Sequence, residues 1–170
     1  MNIYKFHSNP DELIGYTDRD WVFGDEAKEL ILQGKEVTKV IGDLDLDGTP
    51  ITALPDNLTV QGDLYLDGTP IRSLPDNLTV HGDLYLSDTP ITALPDNLKV
   101  VSGHLDLSGT QITALPDNLT VHGTLNLART QITALPDNLK VSGHLWINST
   151  PNLDKDNLPS SLVVNGEIYK

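Results

Sequence analysis

From Val40 onward the chain repeats one phrase of about twenty residues, and this repeat limits the possible folds more than any other feature. Thr49, Thr69, Thr89, Thr110, Thr130 and Thr150 mark it, at spacings of 20, 20, 21, 20 and 20 residues. The unit reads V-x-G-x-L-x-L-x-x-T-x-I-x-x-L-P-D-N-L, and coils begin near Val40, Val60, Val80, Val101, Val121, Val141 and Val164. A unit this short has an apolar side but no second layer to bury it against, so successive units must stack and share one core. The segment V-x-G-x-L-x-L alternates with the period of a strand. In the second coil this turns Val60, Gly62, Leu64 and Leu66 inward, and Gln61, Asp63, Tyr65 and Asp67 outward. Stacked strands step about 4.8 Å apart, so seven coils make a rod roughly 30–35 Å long.

The remainder of each coil, I-x-x-L-P-D-N-L, is too short for a long helix. Pro55 fixes φ and removes a donor, and Asp56-Asn57 favours a turn, with the Asp expected to cap it. The expected fold is therefore mainly β: a parallel β-solenoid of about seven coils over residues 40–170, with a small N-terminal helical cap over residues 1–39. The extra residue at Val100-Val101 predicts a local bulge, and Pro151-Asn152-Leu153-Asp154-Lys155 distorts the last coil. Within the first 39 residues, Asn9-Pro10-Asp11-Glu12-Leu13 starts like a short helix. Asp25 is the expected cap of a second helix that carries Ala27, Leu30 and Ile31 on one face and stops at Gly34. Such a segment covers the apolar end that a first coil otherwise turns to water.

Ile51-Thr52-Ala53-Leu54-Pro55-Asp56-Asn57-Leu58 resembles the L-x-x-L-P-x-x-L limb of short bacterial leucine-rich repeats. Those repeats occur in secreted effectors of bacterial pathogens and in uncharacterised bacterial and phage proteins. The resemblance covers about residues 40–165. It implies a solenoid of leucine-rich-repeat type that binds protein partners on the outer face of its parallel sheet. This chain departs from the family in two ways: Thr stands where such repeats usually carry Asn, and the strand limb is longer. The Thr hydroxyls are expected to form a stacked ladder that bonds the turn backbone, more weakly than an Asn ladder. The effectors' appended ubiquitin-ligase domain depends on a cysteine nucleophile and has no counterpart here, so that activity does not carry over.

Composition removes further classes. Aromatic residues are 5% of the chain, so the core comes from Leu, Ile and Val. There is no Cys, hence no disulfide, thiolate metal site or thiol nucleophile. No apolar run is long enough to span a membrane, and Met1-Asn2-Ile3-Tyr4-Lys5 lacks the apolar stretch of a secretory signal, so a cytoplasmic protein, or one delivered into a host cell, is expected. With 24 acidic residues against 11 basic, the net charge is −13. Direct binding to nucleic acid, which runs through Lys and Arg, is not expected. None of G-x-S-x-G, a Walker loop, H-E-x-x-H or a helix-opening G-x-G-x-x-G is present, and a sheet face offers no cavity to raise a carboxyl pKa. Binding without turnover is expected.

The outward strand positions vary while the rest of the repeat stays constant. The first three strands carry Asp43, Asp45, Asp47, Asp63, Asp67 and Asp83 with Tyr65 and Tyr85, and the later strands carry His104, His122, His144 and Trp146. Like charges at strand spacing repel, and a solvated surface tolerates them. As a functional patch they suit a basic partner surface, with the tyrosines as anchors. The candidate binding residues are Asp43, Asp45, Asp63, Tyr65, Asp83, Tyr85 and Trp146. Asp43-Leu44-Asp45-Leu46-Asp47-Gly48 lacks the Glu of a Ca²⁺ loop, and the histidines fall in two separate columns. No metal or cofactor is expected.

The favoured function is thus a non-catalytic protein-binding scaffold, a bacterial or phage effector or inhibitor. A second row of carboxylates, Asp56, Asp76, Asp96, Asp117, Asp137 and Asp156, keeps an alternative open, an acidic mimic of nucleic acid that inhibits a DNA- or RNA-handling enzyme. The third alternative is a structural or self-assembling repeat. A monomer is expected, with pairing through the open edge of the last strand, Val164 to Tyr169, as the other possibility.

Overall fold

The computed structural model describes residues 21–170; the short helix expected at Asn9–Leu13 lies outside the described residues. The chain is a parallel β-solenoid of about seven coils. A front sheet of seven strands runs its full length: Leu44–Asp45, Leu64–Tyr65, Leu84–Tyr85, Leu105–Asp106, Leu125–Asn126, Leu145–Trp146 and Ile168–Tyr169. Each strand pairs in parallel with its equivalent in the next coil. The register steps from Leu44 to Leu64 to Leu84 to Leu105 to Leu125 to Leu145 to Ile168.

The seven-residue strand expected from V-x-G-x-L-x-L is instead two strands of two residues with a corner between them. Thr59–Val60 ends before Gln61-Gly62, and Leu64–Tyr65 begins beyond it. Alternation survives the corner because the same sides stay in and out, so period-2 patterning does not separate one strand from two. The glycine does not face the core as expected; it lets neighbouring coils touch backbone to backbone. Gly123 N–H donates to Gly103 O at 2.9 Å, and Gly143 N–H donates to Gly123 O at 2.9 Å. A methyl added at Gly123 would stand 2.7 Å from the Gly103 carbonyl carbon and oxygen.

Before the corner, the strands form two separate flank sheets of four. One holds Val22–Phe23, Lys39–Ile41, Thr59–Val60 and Thr79–Val80, and the other Val100–Val101, Thr120–Val121, Lys140–Val141 and Val163–Val164. The break falls where the extra residue was expected to make a bulge. Thr120 N–H donates to Lys99 O, the place that Leu119 and Leu58 hold for the coils that follow them. Leu98 is thereby pushed back one position to half-burial, while Leu119 and Leu139 are fully buried. One residue too many thus costs the flank its pairing at this step, and the front sheet continues past it.

The core is a set of stacked columns. Leu64, Leu84, Leu105, Leu125 and Leu145 form one, Leu66, Leu86, Leu107, Leu127 and Ile147 another, and Ile71, Ile91, Ile112 and Ile132 a third, all at most 1% exposed. The marker threonines sit at the turn after the front strand. Oγ1 of Thr49, Thr69, Thr89, Thr110 and Thr130 donates to the carbonyl three residues back at 2.6 to 2.8 Å, and Thr150 does the same. The hydroxyls therefore bond the turn backbone as expected, but each within its own coil and not as a stacked ladder. At the D-N turn the capping expected of the Asp row is not seen. Asn57, Asn118 and Asn138 adopt left-handed φ near 60°, and Asn77 Nδ2 donates to Asn57 Oδ1 at 3.1 Å. Asp56, Asp76, Asp96 and Asp117 stay exposed. Asn enters the left-handed region more readily than most residues because its short polar side chain can bond locally.

At the first coil, Val22–Phe23 forms a strand that the sequence did not announce, pairing Val22 with Val40. Helix α1 (Gly24–Leu32) follows and packs over Leu44–Asp45 with Ala27 and Ile31 buried. Asp25 does not cap it; Phe23 is the N-cap residue, with no side-chain bond, and Asp25 and Glu26 lie in the first turn, where the helix dipole favours negative charge. Gly34 ends the helix as expected. With φ at 72° it lets its N–H reach Ile31 O and the Lys35 N–H reach Leu30 O, which closes the C-terminus in a Schellman motif.

Candidate docking face

The corner leaves one backbone N–H per coil, that of the residue after the glycine, without a strand partner, and a column of side chains fills the need. Asp43 Oδ1 accepts the Asp63 N–H at 2.8 Å, Asp63 Oδ1 accepts the Asp83 N–H at 2.7 Å, and Asp83 Oδ1 accepts the His104 N–H at 2.6 Å. The series continues through His104 Nδ1 to Thr124 N–H, Thr124 Oγ1 to His144 N–H, and His144 Nδ1 to Glu167 N–H. A charge-assisted bond to a backbone amide explains why stacked carboxylates persist here despite their mutual repulsion. Asp43, Asp63 and Asp83, read from sequence as partner contacts, each hold the next coil.

The next outward column toward the C-terminus is Asp45, Tyr65, Tyr85, Asp106, Asn126, Trp146 and Tyr169, all on the front sheet. Tyr65 and Tyr85 stack with ring centroids 5.0 Å apart and planes within 7°. Their hydroxyls donate to Asp63 Oδ2 at 3.1 Å and to Asp83 Oδ2 at 2.9 Å. At the other end Trp146 stacks on Tyr169, with centroids 4.1 Å apart and planes 22° apart. Tyr169 was missed from sequence because it lies in the distorted last coil. Between the two stacks, Asp106 Oδ1 accepts the Ser108 N–H at 2.8 Å, and Asp106 Oδ2 accepts Asn126 Nδ2 at 3.1 Å. Asp45, at the far end, accepts the Asp47 N–H at 3.0 Å and lies 4.0 Å from Lys28 Nζ.

These side chains enclose a shallow hollow of about 270 Å³, walled by Tyr85 and Trp146, floored by Asp106 and Asn126, and flanked by His104 and Thr124. That is below the usual ligand-pocket range of about 300–1,000 Å³, a size for side chains more than for a cofactor. Among the described residues, no three His, Asp or Glu side chains are grouped as a metal ion needs.

The electrostatics follow from burial and crowding. Burial pushes the Tyr85 phenol well up, and its bond to Asp83, the Asp83 charge, Tyr65 and Asp63 add to this; Tyr65 is raised first by burial, then by its bond to Asp63 and the charges of Asp63, Asp43 and Asp83. Burial also lifts the Asp67 carboxyl above the usual carboxylate range; the Ser87 N–H opposes this, and Asp47, Asp106 and Asp88 reinforce it. The tyrosines set a sign for alkaline stability. An unfolded phenol ionises near pH 10. The folded phenols hold their protons higher, so their contribution is intact below about pH 10 and is lost as pH rises from there toward the folded values. In an alkaline titration, phenolate absorbance from Tyr65 and Tyr85 is expected to rise together with loss of the circular-dichroism signal. The Tyr65→Phe/Tyr85→Phe double variant should lose stability less steeply over that range. Phenolates that form while the fold stays intact would contradict this.

Comparison with protein-family models and with curated proteins finds no match to this chain.

Proposed function

We propose that this chain is a non-catalytic docking module of leucine-rich-repeat type whose front sheet receives a basic surface of a partner protein, in the manner of a bacterial or phage effector or inhibitor. The observation that supports this reading is the single column Asp45, Tyr65, Tyr85, Asp106, Asn126, Trp146 and Tyr169, which sets paired aromatic stacks and carboxylates on one open sheet. Stacked aromatics are pre-organised anchors, and a net charge of −13 draws a cationic partner in at long range. The column one step before it is spent on joining coils, which narrows the candidate contacts to Asp45, Tyr65, Tyr85 and Trp146 with the addition of Asp106.

The test is enrichment from a whole-cell lysate with wild type beside the Asp106→Asn/Trp146→Leu double variant, washed at low and high salt. Asn at 106 can still accept the Ser108 N–H, so the variant keeps that turn bond and gives up the bond from Asn126. A protein with a basic surface should be retained by wild type at low salt, released by high salt, and held at least about tenfold more weakly by the variant. Equal retention by both proteins would overturn the reading.

A further inference from the structure

The two aromatic stacks face each other across the hollow, and their spacing specifies more than a general attraction to basic surfaces. Tyr65 covers one face of Tyr85, and Tyr169 covers one face of Trp146. The inner member of each stack, Tyr85 in one and Trp146 in the other, lines the same hollow. Tyr85 and Trp146 are three strand steps apart, about 14 Å. A planar group in contact with each ring lies about 3.6 Å from it, which leaves about 7 Å between two such groups. Alternate residues on one side of an extended strand are about 6.8 Å apart.

We propose that the hollow between Tyr85 and Trp146 receives an extended Arg-x-Arg segment of a partner protein, with one guanidinium flat on each ring and Asp106 between them. This rests on the docking reading above and makes it specific. The segment runs along the solenoid axis, across the strands, so its two arginines point down into the hollow and the middle residue points away. Arg suits the walls because its guanidinium is planar, weakly hydrated and stacks on aromatic faces; the compact ammonium of Lys does not stack in this way. It suits the floor because each Asp106 oxygen accepts one bond within the solenoid, from Ser108 and from Asn126, and keeps a lone pair for an outside donor. The bond from Asn126 also holds the carboxylate between the walls.

The test uses short amidated peptides carrying one Arg-Thr-Arg in a Gly/Ser/Thr frame, beside Lys-Thr-Lys, adjacent Arg-Arg and Arg-Thr-Thr-Arg versions of equal charge. Binding is read by calorimetry on the full chain. Arg-Thr-Arg should bind at least about tenfold more tightly than Lys-Thr-Lys, and at least about fivefold more tightly than either altered spacing. Trp146→Leu, Tyr85→Leu and Asp106→Asn should each lower its affinity about tenfold, and Asp76→Asn, on the distant turn row, should change nothing. The proposal falls if Lys-Thr-Lys or the other spacings bind equally, or if the ring substitutions have no effect. If basic proteins still dock on the front sheet in those cases, only the Arg-x-Arg assignment is lost. If neither the peptides nor any basic protein binds, the docking reading falls with it.

Discussion

Gly123→Ala is expected to cost about 3 kcal/mol or more, beyond the usual penalty for a crowded side chain. The added methyl would stand 2.7 Å from the Gly103 carbonyl carbon and oxygen and 2.7 Å from the His104 amide nitrogen, all backbone atoms. No rotamer relieves such a contact. The coils must separate, and separation strains the corner bond from Gly123 to Gly103 and the front-strand pairing of Leu125 with Leu105. Urea unfolding should show a lower midpoint for this variant, while Ser142→Ala, at an exposed position beside the next corner, stays within about 0.5 kcal/mol of wild type. If the two variants were equally stable, the corner glycines would not set the coil spacing.

A second large effect is expected at Asp83. Its two carboxylate oxygens hold the His104 N–H at 2.6 Å and the Tyr85 hydroxyl at 2.9 Å. Asp83→Ala removes both acceptors and should cost about 2 kcal/mol, within the range for bonds to charged groups. Asp83→Asn keeps one acceptor oxygen in place and should cost less than half as much. The pair of variants separates the two roles of this residue. If charge for a partner were its purpose, Asn and Ala would be equally harmless to stability and equally harmful to binding. For the same reason, charge reversal at Asp63 and Asp83 would report on coil stacking before it reported on docking.

Much of the fold is legible in the sequence because a constant repeat needs constant contacts. The Leu and Ile columns, the threonine-to-carbonyl turn and the parallel register all follow from it. The corner was not legible, since Val60, Leu64 and Leu66 keep their sides whether the chain is straight or bent at Gly62. The roles of the acidic residues were hidden for the same reason. Alternation says that Asp63 points outward, and only the corner shows that a neighbouring N–H needs it. A signal was nevertheless present: every side chain after the corner glycine from Asp43 to His144 is a short acceptor, whether carboxylate, imidazole or hydroxyl. Asp106 went unselected because no aromatic residue is adjacent to it in the chain; its setting is made by the stacks on either side.

The extra residue near Val100 has a mechanical consequence. Along the front the coils are stitched without a gap, and along the flank the stitching is slit between Val80 and Val101. The joint between the two halves is therefore carried by the front bonds from Leu84 to His104 and from Leu86 to Asp106, without the flank pairing that backs them at the other steps. That joint lies between the coil that carries Tyr85 and the coil that carries Asp106. The two aromatic walls of the hollow thus stand on opposite sides of the step at which the flank pairing is interrupted.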